Sequence, residues 1–156
     1  MSEVPYQSAL SHAQGFVDLL AYQVALQMQQ EVFELTRKFP REEMFSLTDQ
    51  IRRSSRSIGA QIAEAWAKRR YEAHFISKLP DADSECLETL HWIETARRCH
   101  YLTDEQAAYH AGQYDRVGRL IAGMITKASA FCGKPSPRQI RESSAEYFIQ
   151  RTTNDE

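Results

Sequence analysis

One segment, from Leu47 to Ala65, constrains the fold more than any other part of the chain. It reads LTDQIRRSSRSIGAQIAEA, and together with Met44, three residues earlier, its apolar side chains fall within about 40° of one line on a helical projection. An apolar stripe of this kind has to be buried against other elements. The segment therefore predicts an amphipathic helix whose core stripe consists of Met44, Leu47, Ile51, Ser55, Ile58, Ile62 and Ala65.

The opposite side of this helix carries arginine and small residues, where a solvent-facing helix more often carries long polar ones. Small residues let another helix approach closely, and guanidinium groups bind carboxylates or phosphates with two parallel hydrogen bonds. This side predicts a partner, either a second subunit or a nucleic acid. We call it the basic strip, and its members are Arg53, Arg56, Ala60, Ala63 and Ala67.

The rest of the chain also shows helical rather than strand periodicity. Pro80 predicts a kink or a break in the third helix, because a proline removes one backbone hydrogen bond. Thr103 and Gln106 predict a capping box at the start of the fourth helix. Apolar residues at three- and four-residue intervals place four helices at about 16–39, 42–70, 71–101 and 103–132.

The chain is expected to form one domain. Four long helices joined by short turns favour an all-α, antiparallel up-down-up-down four-helix bundle over residues 16–133. Residues 1–15 would form an N-terminal extension. Residues 134–156 would form either a short fifth helix, with Ile140, Tyr147 and Phe148 on one side, or a polar tail without fixed structure.

Composition limits the classes of function. The 156-residue chain is 42% hydrophobic, which suits a single core, and its formal charge of −2 means that any nucleic-acid binding has to come from a local patch. Its three cysteines are odd in number and show no paired spacing for zinc or a redox motif. No signal-peptide pattern and no run of about 20 apolar residues is present, so we expect a cytoplasmic protein with no membrane role.

The residues with catalytic potential do not assemble into a recognisable motif. Glu88 and His91 have the E-x-x-H spacing of di-iron bundles, but the sequence contains no second such pair. His74, His100 and His110 are expected at the surface or in satisfied structural positions. We therefore predict no catalytic residues, no cofactor and no metal, and a metal-dependent bundle enzyme remains a distant alternative.

Basic residues concentrate between positions 52 and 70, where six basic groups accompany one acid, Glu64. Such a segment, repeated in an oligomer, could hold phosphate backbones without reading sequence. The alternative is that these charges complement the carboxyl end of the helix dipole. The candidate nucleic-acid-binding residues are Arg52, Lys68, Arg69 and Arg70.

The third predicted helix carries a complementary surface opposite its Leu79–Leu90 core stripe. We call it the acidic strip, and it consists of Asp81, Glu85, Glu88 and Trp92. We expect it to meet the basic strip of a neighbouring subunit in a head-to-tail contact that closes into a ring. The alternatives are two solvated faces, or two helices paired within one subunit.

Several of these motifs together resemble a known family. The residues are Phe39-Pro40, the run from Leu47 to Arg53, Ser57-Ile58 and Ile62-Ala63-Glu64. They are similar to the four-helix-bundle proteins encoded in intervening sequences of bacterial 23S rRNA genes. The resemblance implies a homopentamer without established catalytic activity. The chain also resembles accessory proteins of diversity-generating retroelements, which bind nucleic acid and a reverse transcriptase.

The sequence thus predicts a non-enzymatic homo-oligomeric scaffold or accessory protein, with a pentamer implied by the resemblance. RNA or DNA is the leading partner class, and a partner protein such as a reverse transcriptase is a second. The alternative function is a protein-binding adaptor without a nucleic-acid role, which would use either the acidic surface or the C-terminal tail.

Overall fold

Four long helices build the protein, as seen in a computed structural model that describes residues 13–133. They are α1 (Leu20–Thr36), α2 (Leu47–Ala67), α3 (Glu72–Arg98) and α4 (Asp104–Thr126), and the one-turn helix α5 (Ala128–Phe131) follows them. Short 3-10 turns, Phe16–Asp18 and Arg41–Glu43, precede α1 and α2. No strand occurs within residues 13–133, and the expected all-α bundle class is confirmed.

The core lies between all four helices. Helix α2 packs against both α1 and α3, and α3 packs in turn against α4, while α1 and α4 approach each other less closely. Each fully buried isoleucine or phenylalanine contributes roughly 1.5–3 kcal/mol to folding. The residues with essentially no exposed surface include Met28, Val32, Ile51, Ile58, Ile62, Phe75, Leu79, Tyr114, Val117 and Ile121.

The predicted core stripe of α2 is confirmed with one correction. Its members from Leu47 to Ala65 are all buried, whereas Met44 is 43% exposed. Helix α2 begins at Leu47 rather than near residue 42, so Met44 lies before the helix and out of its phase. Leu20, at the first position of α1, also lies outside the core and is 41% exposed.

A local carboxylate explains why α2 starts at Leu47. The side chain of Glu43 accepts a hydrogen bond from the Ser46 hydroxyl and one from the Leu47 backbone N–H at 3.4 Å. Its other oxygen accepts a hydrogen bond from the Tyr101 hydroxyl at 3.0 Å. Hydrogen bonds from Ser46 and Tyr101 lower the pKa of Glu43. The start of α2 is thereby linked to the connection between α3 and α4.

The long helices end earlier along the chain than the sequence predicted. Helix α1 ends at Thr36 rather than Phe39, α2 ends at Ala67 rather than Arg70, and α4 stops at Thr126 before the separate turn of α5. Of the proposed N-terminal extension, residues 1–12 lie outside the described residues. The proposed tail at 134–156, with its candidate fifth helix, lies outside them as well.

Helix α3 runs without interruption through Pro80, so the break allowed by the sequence is not present. One turn later, the Ser84 hydroxyl donates to the carbonyl of Pro80 at 2.9 Å. Deeper in the bundle, the Thr89 hydroxyl donates to the Ser54 hydroxyl of α2 at 2.9 Å. This buried pair gives the apolar α2–α3 contact one polar link with a specific geometry.

Both ends of the connection between α3 and α4 are capped. The Thr103 side chain accepts the backbone N–H of Gln106, whose amide oxygen in turn accepts the Thr103 N–H, which confirms the capping box. At the end of α3, the N–H groups of His100 and Tyr101 donate back into the last turn in a Schellman arrangement. His100 occupies the left-handed position of this motif with φ 61°, where glycine is usual.

We predict that His100→Gly stabilises the protein by roughly 0.5–1 kcal/mol, because glycine adopts a left-handed conformation without the penalty that other residues incur. His100 is exposed, so little packing is lost with its side chain. Thermal unfolding would show a melting temperature about 1–4 °C higher. His100→Ala is the matched control and should give no gain, and an equal gain for both variants would contradict the backbone explanation.

Candidate interaction surface on α2

The basic strip lies on the outer side of α2, opposite the buried stripe. Arg53, Arg56, Ala60 and Ala67 are exposed and Ala63 is half-buried. This orientation follows directly from the helical period, because burying Ile51, Ile58 and Ile62 turns the other side away from the core. In a single copy of the chain, the basic strip is therefore exposed and accessible to a partner.

A groove of about 590 Å³ runs along this strip and begins at an exposed aromatic residue that the sequence analysis did not single out. Phe45 has 95% of its surface exposed, and Met44 beside it is also exposed. A signal for it was present, because Phe45 directly precedes the first turn of an amphipathic helix. The residues lining the groove are Met44, Phe45, Thr48, Asp49, Arg52, Arg53, Arg56, Ser57 and Ala60.

Aromatic contacts within the chain orient two of the guanidinium groups at this groove. Arg52 lies over the ring of Phe33 in α1 at 4.8 Å, and Arg56 lies over the same ring at 5.7 Å. Arg52 also donates from Nε to the Thr36 hydroxyl at 2.7 Å. Arg52 is consequently committed to the α1–α2 contact, whereas Arg53 projects outward.

The acidic strip lies beside the basic strip within the same chain. Partial burial raises the pKa of the Glu85 carboxyl, the neighbouring Glu88 raises it further, and Arg53 of α2 lowers it. Trp92 is half-buried against the core, and its indole N–H donates to Glu88 at 3.2 Å. Part of the indole is thus already covered without a second subunit.

Lys78 joins the acidic strip of α3 to Glu64 of α2, a contact that the sequence analysis did not predict. Its ammonium group lies 3.0 Å from Asp81 and 3.0 Å from Glu64 of α2, and its side chain is 17% exposed. Hydrogen bonds to Asp81 and Glu64 raise the pKa of Lys78. Asp81, which was expected to meet a neighbouring subunit, is therefore paired inside its own chain.

The four candidate nucleic-acid residues do not form one patch. Arg52 lies 16 positions before Lys68 along α2, a separation of about 24 Å on a helix axis. At the other end, Lys68 lies 3.1 Å from Glu64, and Arg69 stacks over the Trp66 ring at 4.0 Å. Arg70 lies over the Tyr71 ring at 5.6 Å. The structure groups Lys68, Arg69 and Arg70 at the α2–α3 connection and places Arg52 elsewhere.

Residues with catalytic potential stay apart in the described part of the chain. Between residues 13 and 133, no three histidine, cysteine, aspartate or glutamate side chains are arranged to hold a metal ion. Glu88 is engaged by Trp92, and His91 is exposed. Burial raises the pKa of the Cys86 thiol to about 12, so this cysteine is an inert core residue.

None of the described helices is long and apolar enough to cross a membrane. The fold and the outer side of α2 define a small helical-bundle protein with a charged surface along one helix. Residues 17–123 match the 23S rRNA-intervening sequence protein family. The chain belongs to this family, as its motifs predicted.

A crystal structure of a protein from Bacteroides thetaiotaomicron, described as having unknown function and as a member of the S23 ribosomal protein family, is similar to this chain. The two are 31% identical, with a TM-score of 0.61, and the match covers 68% of this chain and 98% of the other. A comparison with curated proteins gave no match. These comparisons establish the family and the fold.

We predict that Lys78→Met raises the pKa of Glu64, which hydrogen bonds from Lys78 and Lys68 hold below its ordinary value. A carboxyl with a lowered pKa in the folded state stabilises the protein above its unfolded pKa, and this contribution is lost as pH falls through the lowered value. When the pH is lowered, the free energy of unfolding of Lys78→Met should therefore decrease less than that of the wild-type protein. Carboxyl ¹³C NMR titration of Glu64 measures the shift directly.

Glu94 provides the internal control for this titration. Hydrogen bonds from Arg97 and Arg98 lower its pKa to about 2, and Lys78 is not among the causes. Its titration should be the same in the wild-type protein and the variant. An unchanged Glu64 titration in Lys78→Met would show that this bridge does not exist in solution.

Proposed function

We propose that this protein is a cytoplasmic, non-enzymatic scaffold that assembles from several copies of itself and binds nucleic acid as an accessory factor. The observation that carries the proposal is the outer side of α2, where a fully exposed phenylalanine, two outward arginines and small residues line one groove. Aromatic and arginine side chains are enriched in interface cores, so this combination favours a partner over solvent.

Self-association is the first part of the proposal. Within residues 13–133, Phe45 at 95% exposure is the most exposed large apolar side chain, and Ala60, Ala63 and Ala67 allow a close approach along α2. A head-to-tail contact that uses different surfaces on the two copies closes into a ring when the rotation between copies matches. Five copies is the number that the family resemblance implies, and the short turns between the four long helices favour an antiparallel up-down-up-down order within each copy.

The contact that we expect between two copies does not use every residue of the acidic and basic strips. Asp81 is already paired with Lys78, so Glu85 and Glu88 are the acidic-strip residues with the most to offer a neighbour's Arg53 and Arg56. Exposed ion pairs add only about 0–1 kcal/mol each. Burial of Phe45 would therefore supply more of the affinity, and the charges would set the orientation.

Nucleic acid is the proposed partner of the assembled scaffold. Lys68, Arg69 and Arg70 follow one another at the end of α2, and a ring would repeat this cluster around its edge. Contacts of this kind neutralise phosphates without reading bases. The relationship to retroelement accessory proteins, and a reverse transcriptase as a protein partner, belong to the same proposal.

A protein-binding adaptor is the second candidate, and a separate observation favours it. A groove of about 890 Å³ lies between α1 and α4, on a different part of the bundle from the basic strip. It would remain free when α2 is covered by another copy. A scaffold with two such surfaces could bind a protein without any contact with nucleic acid.

We predict that Phe45→Asp combined with Arg56→Glu dissociates the oligomer, because both side chains are exposed in the single chain and belong to the proposed contact. Mass photometry or light scattering should then move from a multiple of the 18.0 kDa protomer to the protomer itself. Val17→Glu, at a residue 53% exposed outside this surface, is the control and should keep the parent mass. A parent protein that is monomeric at micromolar concentration would rule the proposal out.

We also predict that reversing Lys68, Arg69 and Arg70 to glutamate weakens binding of RNA or DNA. Each lost duplex phosphate contact should reduce the slope of log K against log salt by about 0.9. Fluorescence anisotropy over a salt series measures both quantities. The control reverses Arg98, Arg116 and Arg119, three exposed residues elsewhere that change the net charge equally. Equal losses for both triple variants would indicate a general charge effect rather than a site.

A further inference from the structure

The groove between α1 and α4 is lined by a buried histidine that has one unused hydrogen-bonding atom. His110 is 4% exposed, and its Nδ1 atom has no hydrogen-bond partner. This corrects the expectation that His110 would be at the surface or satisfied. A buried polar atom without a hydrogen bond destabilises the folded state, so such atoms usually have a functional or structural reason to persist.

The carboxylate of Glu31, beside His110, has neutral hydrogen-bond donors on one oxygen and no charged partner among the described residues. Glu31 of α1 accepts hydrogen bonds from the Gln27 side-chain amide at 2.9 Å and from the Tyr109 hydroxyl at 3.2 Å, both on the same oxygen, Oε1. Both donors are neutral, and no ion pair within residues 13–133 involves Glu31. Its second oxygen is available to a cation.

Burial keeps the imidazole neutral and therefore able to accept as well as donate a hydrogen bond. Desolvation lowers the pKa of His110, and the charge of Glu31 opposes this in part. The ring of Tyr109 packs edge-on against the imidazole with centroids 5.3 Å apart, and Tyr109 itself is 47% exposed. A charged head group at Glu31 would thus find an aromatic surface for its apolar stem.

The remaining wall of the groove is acidic and amide-rich rather than basic. Glu34 is paired with Arg37 at 3.1 Å, whereas Glu105 makes no ion pair within the described residues. Among the residues that the structure describes, Lys38 is the one basic side chain that lines the groove. From Gln27 to Leu35 the wall follows α1 for about 12 Å of helix axis. A single small amine would occupy only a fraction of this length, so the dimensions favour a peptide segment.

We propose that the α1–α4 groove binds a basic segment of a partner protein, with one lysine or arginine side chain donating to Glu31 and His110. The carboxylate supplies the charge, the imidazole supplies a second acceptor, and Tyr109 and Leu35 contact the stem of the side chain. The amide side chains of Gln27, Gln30 and Gln106 border the groove, where a bound backbone needs polar neighbours.

The test uses the full chain and a labelled 14-residue helical probe built from alanine, leucine and three lysines at four-residue intervals. Fluorescence anisotropy at constant ionic strength should detect its binding. A matched probe with glutamate in place of each lysine should not bind. Glu31→Gln should weaken the lysine probe about tenfold, the effect of losing one charge-assisted hydrogen bond. Glu64→Gln, at an exposed carboxylate on α2, should leave the affinity unchanged.

His110→Leu provides a second variant, which fills the position with an apolar side chain. It should also weaken binding of the lysine probe. Circular dichroism checks that both groove variants remain folded. Equal affinity of the wild-type protein and Glu31→Gln would overturn the proposal. Displacement of the probe by spermidine at equal concentration would also overturn it, because the occupant would then be a free polyamine. So would a change in particle mass in Glu31→Gln, which would assign the groove to a second copy of this chain.

Discussion

Burial of one side of α2 is the constraint on which the rest of the structure depends. Helix α2 lies between α1 and α3, and its isoleucines at 51, 58 and 62 have no exposed surface. Three such side chains contribute several kcal/mol together, a large share of the net stability of a domain of this size. Once this side is buried, the helical period places the basic strip of α2 on the outside of the bundle.

The charges around α2 show how a surface can serve both folding and binding. Lys78 holds Glu64 and Asp81 and thereby joins α2 to α3 inside one chain, while Arg53, Arg56 and Phe45 project away from that junction. The first group is paired within the chain, whereas the second is exposed, although Arg56 also lies over the Phe33 ring. This division favours self-association driven by apolar contact and oriented by charge.

The α1–α4 groove belongs to a different part of the bundle and has a different chemistry. It is acidic and lined with amides, and it contains a buried imidazole with unused hydrogen-bonding capacity. The α2 surface is basic and aromatic. Two surfaces of opposite character on one small bundle suit a scaffold that holds two different partners at once, each recognised by its charge.

The sequence by itself determined the elements that depend on residues close along the chain: four helices, the buried stripe and outward strip of α2, the capping box at Thr103, and the family. The tertiary structure decided what depends on the distance between helices. It exposed Met44, paired Asp81 with Lys78, buried half of Trp92, and buried His110 with its Nδ1 atom lacking a hydrogen bond. A helical projection gives the direction of a side chain on its own helix. It does not give the position of the neighbouring helix, which is set by the packing of the whole core.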